Sequence, residues 1–242
     1  MNLIVDVGNT FVKFAVFNGV DLLHKTSFKL LEFEEQYNKV KQVFPKLKCA
    51  IISSVGYLSN QQINSIEKDF KVVELNSATK VPFRNLYKTP KTLGVDRIAL
   101  VSASVNQFPN NNVLIIDAGT CITYDFITVK NEYLGGAISP GLRLRYKSLN
   151  DLTANLPLLV TKQPKMIVGN STESSIHSGI VNGVITEIDG VIDQYKHQYS
   201  DLTVILTGGD ANFLSNQLKN TIFANSNFLL EGLNVILEYN SK

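Results

Sequence analysis

The sequence predicts an α/β protein built as two similar halves, and three observations carry that prediction. A short pattern occurs twice, about half a chain apart: Leu3-Ile4-Val5-Asp6-Val7-Gly8-Asn9-Thr10 and Leu114-Ile115-Ile116-Asp117-Ala118-Gly119-Thr120. In each copy an apolar run reads as a buried strand that delivers an aspartate, a glycine and a hydroxyl at its end. Strand patterns then alternate with helical ones, in the same order after both copies, which implies parallel additions to a sheet. The length of 242 residues lies near the upper limit for one hydrophobic core, so two half-domains are as natural as one.

In the first half, residues 11–17 and 22–28 read as strands joined at Asn18-Gly19, a pair suited to closing a hairpin. Residues 30–43 carry apolar positions at helical spacing. Residues 49–55 read as a buried strand, 60–70 as a short helix and 71–75 as a further strand. The polar stretch 76–93, with Pro82 and Pro90, is longer than ordinary loops and is therefore suspect as a functional segment. It ends in Gly94-Val95-Asp96-Arg97, after which a helix is expected over 98–108. Asn110-Asn111-Asn112 punctuates the chain, placing the halves at 1–110 and 111–242.

The second half restarts the meander. Strands are expected over 113–117, 121–129 and 133–138, with Lys130-Asn131 as a turn. Pro140-Gly141 leads into a helix over 142–152, residues 171–198 form one long or broken helix, and 204–206 read as a buried strand. A closing amphipathic helix is expected over 228–239.

Composition narrows the function classes. Net charge is +2 and no segment gathers Lys and Arg into a long stripe, so nucleic-acid binding has no electrostatic footprint. No run approaches about 20 apolar residues and no signal-peptide pattern opens the chain, so the expectation is a cytoplasmic protein without a membrane partner. Cys49 and Cys121 sit in or beside strand-like runs without metal-ligand spacing and are expected to be small buried hydrophobes in a reducing compartment. His24, His177 and His197 have no partner pattern and read as structural or exposed.

The two aspartate turns outline a duplicated phosphate site. Glycine lets a turn approach a ligand closely, the hydroxyl and successive N–H groups bind phosphate oxygens, and the carboxylate can hold a cation. Asp6 at the end of an apolar run would be costly without a partner, which a cation removes, although Asp, Gly and Asn also serve plain turns. Lys13 could neutralise a phosphate or lie exposed on its strand. Thr207-Gly208-Gly209-Asp210 follows a strand and forms a third wall, suited to an adenosine moiety, at the edge that ligands favour in α/β sheets.

Asp6-Val7-Gly8-Asn9-Thr10, Gly94-Val95-Asp96-Arg97, Asp117-Ala118-Gly119-Thr120 and Gly135-Gly136 with Pro140-Gly141 together resemble the ordered signature of type III pantothenate kinases. The resemblance runs along essentially the whole chain. It implies the fold of the actin, sugar kinase and heat-shock ATPase superfamily: two ribonuclease-H-like half-domains, a duplicated βββαβαβα, with a nucleotide cleft between them. It implies ATP-dependent phosphorylation of the primary hydroxyl of pantothenate to 4′-phosphopantothenate, the first step of coenzyme A biosynthesis.

The resemblance also implies residue roles. Asp96 would be the catalytic base. Asp6, Val7, Gly8, Asn9, Thr10, Phe11, Val12 and Lys13 would bind ATP phosphates, with Thr120 contacting the nucleotide. Asp117 would coordinate potassium or ammonium, and Asp6 would hold magnesium through water. Tyr87, Gly94, Val95, Asp96, Arg97 and Thr172 would contact pantothenate, Thr172 across a homodimer contact. From the residues alone, Asp96 also fits a helix N-cap, Arg97 a surface residue in a first turn, Tyr87 a ring packed under the long connection, and Thr172 part of a capping sequence. Cys121, Ser139, Arg143 and Arg145 depart from the family pattern. A kinase or ATPase for another small molecule, or a non-catalytic nucleotide-binding regulator, would share this fold.

Overall fold

A computed structural model describes residues 1–8, 11–54 and 58–241. In chain order, the first stretch forms β1 (Asn2–Val7), β2 (Val12–Asn18), β3 (Asp21–Phe28), α1 (Phe33–Val43), β4 (Cys49–Ser54), α2 (Asn60–Asp69), β5 (Lys71–Glu74), β6 (Arg84–Asn85) and α3 (Val95–Gln107). The remainder forms β7 (Asn112–Ala118), β8 (Cys121–Ile127), β9 (Glu132–Pro140), α4 (Leu142–Asp151), α5 (Thr172–His177), α6 (Gly183–Gln198), β10 (Leu202–Thr207), α7 (Ala211–Ser215), β11 (Phe223–Ala224) and α8 (Phe228–Asn240).

The chain divides into two compact units. In the first, the sheet order is β3-β2-β1-β4-β5, antiparallel across β3, β2 and β1 and parallel across β1, β4 and β5. The second sheet has the order β11-β10-β7-β8-β9-β6. Apart from the two-residue edge strand β6, which pairs parallel with the start of β9, that is the arrangement of the first sheet, with β7 antiparallel to β8 and parallel to β10. The duplication read from two short motifs is therefore a duplication of topology.

Each unit has its own core. Leu3, Val5, Phe14, Val16 and Phe33 pack together in the first, and Leu114, Ile116, Ile188, Val204 and Leu206 in the second. The strands that present an aspartate are buried along nearly their whole length, as expected for central strands covered on both faces.

Two elements depart from the sequence expectation. α3 begins at Val95, with Gly94 as N-cap, so Asp96 and Arg97 lie inside its first turn rather than ahead of it. The long or broken helix expected over 171–198 takes the broken form: α5, a π-helical turn at Ser178–Asn182, and α6. α8 belongs to the first unit, with residues 1–109 and 131–133, and not to the second half that the 111–242 division assigned it. Gly232 of α8 lies so close to α3 that a Cβ there would fall 1.9 Å from the Ala99 oxygen. Asn234 accepts a hydrogen bond from Asn2 of β1 at 2.9 Å and donates to the Gly19 oxygen at 2.8 Å. No helix among the described residues is long and apolar enough to cross a membrane.

Candidate active site

In the first unit, the apolar run of β1 carries Asp6 into a position only 6% exposed. The antiparallel register sets Asp6 opposite Lys13 on β2, and Lys13 Nζ donates to Asp6 Oδ2 at 3.2 Å. Burial pushes the Asp6 carboxyl above its ordinary value, the Lys13 ammonium opposes that rise, and the charge of Asp96 adds to it. Asp6 and Asp96 are thus electrostatic neighbours although 90 residues separate them in sequence (96 − 6).

Beyond β1, the Gly8 N–H donates to the Phe11 oxygen at 3.0 Å, which closes the turn onto β2. Phe11 is exposed, whereas Val7 and Val12 put their side chains into the core. Of the expected phosphate-binding residues, Val7 and Val12 therefore have only their backbone to offer. Asn9 and Thr10 lie outside the described residues.

Asp96 occupies the first turn of α3, where a carboxylate is favoured by the helix dipole. Its Oδ1 accepts from the Arg97 N–H at 2.8 Å, and no side-chain cap bond is made at the N-cap, which is Gly94. A Cβ on residue 94 would lie 2.4 Å from Asp96 Oδ1, so only glycine leaves the carboxylate where it stands. Arg97 is 5% exposed, which removes the surface-arginine reading. Its guanidinium sits 5.6 Å from the centre of the Tyr87 ring, and Tyr87 stacks on Tyr133 at 6.0 Å. Tyr87 therefore packs against Tyr133 and beside the Arg97 guanidinium.

In the second unit Asp117 holds the place in β7 that Asp6 holds in β1: each is the penultimate residue of its strand. The turn after it is shorter, closed by the Gly119 N–H on the Cys121 oxygen at 2.9 Å. Thr120 and Cys121 are exposed there, so Cys121 is not the buried hydrophobe expected of it, and Cys49 is half-buried. A thiol at the first position of β8 stands at the end of the sheet, where nothing in its own strand covers it.

The register places Thr123, not a lysine, opposite Asp117. Thr123 Oγ1 is buried and has no hydrogen-bond partner among the described residues. The third glycine turn closes on this site. Gly208 adopts φ +96°, and a Cβ there would fall 2.4 Å from Asp117 Oδ1, while the Asp210 N–H donates to the Ala118 oxygen at 2.9 Å. Burial raises the Asp210 carboxyl and the charge of Arg143 on α4 opposes it.

These donors fit the groups that the sequence implied. Asp117 and the Thr123 hydroxyl are hard oxygens on one face of the sheet, the donor class alkali cations take. Asp6 already holds an ammonium, and the described residues contain no cluster of three or more His, Cys, Asp or Glu. A carboxylate such as Asp6 is the donor type through which magnesium, keeping several of its waters, is held.

Thr172 is the first residue of α5 and is exposed; the capping role falls to Ser171, which accepts from the Ser174 N–H at 3.2 Å. Thr172 lines a cavity of about 930 Å³ with Arg145, Asn170, Ser171, Ser175 and Ile180, and no residue of the Asp117 or Gly208 turns lines it. The two groupings the structure makes are therefore Asp6, Asp96, Arg97 and Tyr87 in the first unit, and Asp117, Thr120 and Gly208 in the second. Sequence reading missed Thr123; aligning the two aspartate strands with a one-residue shorter turn would have set it against Lys13.

A family model described as type III pantothenate kinase matches residues 2–194. The chain is 54% identical over 240 residues to a type III pantothenate kinase of Christiangramia forsetii, covering 99% of each. Among solved structures it superposes on a putative Baf family transcriptional activator from Campylobacter jejuni with a TM-score of 0.65 at 22% identity, covering 99% of this chain and 98% of that one. A glucokinase from an Antarctic psychrotroph gives 0.53 at 11% identity, covering 98% of each. The structural likenesses show the two-unit α/β fold alone, and the sequence likenesses extend over nearly all of the chain. With aspartate turns, Gly-x-Asp-Arg helix start and glycine turn all in place, this chain belongs to the type III pantothenate kinase family.

Proposed function

We propose that this chain transfers the γ-phosphoryl group of ATP to the primary hydroxyl of pantothenate, yielding 4′-phosphopantothenate and ADP, the first step of coenzyme A biosynthesis. The observation that carries the reading is the fixed Asp96 carboxylate beside Arg97 and Tyr87 in the first turn of α3. The pantothenate hydroxyl oxygen attacks the γ-phosphorus, the bond to the bridging oxygen of ADP breaks, and the hydroxyl proton passes to Asp96. Arg97 matches the substrate carboxylate with its planar fork, and Tyr87 holds that fork in place. Gly94 and Val95 present backbone to the same substrate.

ATP phosphates are bound by the turn that begins at Asp6, with the Gly8 backbone, Phe11 and Lys13, and Thr120 contacts the nucleotide. Magnesium neutralises the phosphate charge when bound, with Asp6 reaching it through water. Potassium or ammonium is held at Asp117. The duplicated turns support this division of labour: one aspartate has a lysine opposite, the other a threonine hydroxyl.

The chain acts as a homodimer in which Thr172 reaches the partner's substrate. Leu158, Val160, Met166, Ile167 and Val168 form an exposed apolar stretch next to α5, which a second copy would cover. Two unbridged thiols suit a reducing, ATP-supplied cytoplasm.

The test is ATP consumption by the full chain with magnesium and potassium, with and without pantothenate. Turnover that rises only with pantothenate supports the reading. Equal consumption in its absence, or a preference for another hydroxyl acceptor, would remove the substrate assignment.

A further inference from the structure

The Arg145 side chain on α4 makes three bonds that tie the end of β9 to α6. Its Nε donates to the Pro140 oxygen at 2.8 Å, and its Nη2 donates to Ser139 Oγ at 2.9 Å and to Glu187 Oε2 at 2.5 Å. The other oxygen of Glu187 accepts from the Tyr124 hydroxyl of β8 at 3.0 Å. One carboxylate on α6 thus holds Arg145 and Tyr124 at once, and Ser139 bonds to it as well.

The position of this brace is what gives it a role. Pro140 is followed by Gly141, whose N–H donates to the Thr120 oxygen at 3.0 Å. Tyr124 lies on β8 just beyond the same turn, so the brace holds the strand that leaves the Thr120 turn and the Pro140 end of β9 that bonds to it. A bond from a guanidinium to an ionised carboxylate is short and stronger than a neutral one, and the planar fork that lets Arg145 reach Pro140 through Nε and Glu187 through Nη2 is not one a lysine reproduces.

We infer that Arg145 and Glu187 are positioning residues for nucleotide binding: they fix the Pro140 carbonyl and hence the Gly141 contact that sets the Thr120 turn. Neither touches the reacting atoms. The inference rests on the reading of Thr120 as a nucleotide contact, and it leaves the identity of the phosphoryl acceptor aside.

The experiment measures ATP affinity by calorimetry on the full chain with magnesium and no acceptor, then kcat and each KM, with thermal midpoints as a fold control. Arg145→Ala should weaken ATP binding about tenfold, the loss of a charge-assisted bond, while the KM for pantothenate stays within about twofold. Arg145→Lys should recover part of the loss, because it restores the charge without the fork. The double variant Arg145→Ala/Glu187→Gln should be no weaker than Arg145→Ala alone, since both residues act through one carbonyl.

Unchanged ATP affinity in Arg145→Ala, equal shifts in both KM values, or multiplicative losses in the double variant would overturn the proposal. If Arg145→Ala does not fold, Tyr124→Phe removes one bond to Glu187 with the ring retained. It must then weaken ATP a few-fold, and an unchanged affinity counts equally against the brace. A wild-type chain that binds ATP but leaves pantothenate untouched defeats the proposed reaction and not this inference.

Discussion

Lys13 and Asp6 face one another across the β1–β2 ladder with their charged atoms 3.2 Å apart, while the matching pair on β7 and β8 is Thr123 and Asp117. The first aspartate carries its own cation. Lys13→Met should therefore leave a buried carboxylate without its counter-charge, lowering stability by about 1–2 kcal/mol and ATP affinity about tenfold. Because the folded state already raises the Asp6 carboxyl, it binds that proton more tightly than the unfolded chain does. The stability linked to this proton is present at low pH and is lost as pH rises through the raised value. Removing Lys13 raises the value further, so the variant should regain more stability than wild type on acidification, read by thermal unfolding across pH.

The register opposite the second aspartate offers a hydroxyl in place of an ammonium. Replacing potassium by sodium should weaken nucleotide binding in the wild type, and equal affinity in the two salts would argue against a dedicated site at Asp117. Thr123→Lys would rebuild at Asp117 the pair that Lys13 makes with Asp6. It should bind nucleotide equally well in potassium and sodium, measured by calorimetry; a folded Thr123→Lys protein that still needs potassium would show that the ion does more than balance charge.

How much of this could be read in the sequence depends on the range of the contacts. The central strands and their Asp-Gly turns are local patterns of burial and turn chemistry, and both appear where the motifs placed them. β6 and β11 are two residues each, too short to carry any period, and were not visible. The apolar pattern of α8 showed a helix but not its destination, because Asn2 bonds to Asn234 and Gly232 meets Ala99 only once the chain has folded. The same holds for Arg145, whose partner Glu187 lies 42 residues on. Charge alone marked Arg145 as unusual without saying what it holds.

Asp96 and Gly94 form a pair that separates chemistry from folding. Asp96→Asn should reduce kcat by about 10²–10⁴, the usual contribution of a positioned general base, with the thermal midpoint retained. Gly94→Ala should do nearly as much damage without touching the carboxylate chemically, since its methyl group would occupy the space of Asp96 Oδ1. A Gly94→Ala enzyme with wild-type kcat would show that the carboxylate works from another position.

Cys121 offers a reporter beside the Thr120 turn. It is exposed and follows Thr120 directly, so alkylation by a maleimide should slow when ATP and magnesium are present. Cys49, half-buried in β4, should react at a rate indifferent to nucleotide. Mass spectrometry of the two peptides separates the rates, and identical rates at Cys121 with and without ATP would place the nucleotide away from Thr120.

Glu187 gives the brace a signature in acid. Burial pushes its carboxyl up, but hydrogen bonds from Arg145, Ser139 and Tyr124 and the Arg145 charge outweigh that and hold it below its ordinary value. A depressed carboxyl contributes stability above the unfolded value, about 4.3, and that contribution is lost as pH falls through the folded one. Wild type should therefore lose thermal stability below that range more steeply than Glu187→Gln, whose amide keeps its shape and does not titrate. ATP affinity measured over the same range should fall with Glu187 protonation in wild type and stay flat, at its already lowered level, in the variant. Parallel slopes for the two proteins would mean that the carboxylate charge does not hold Arg145 in place.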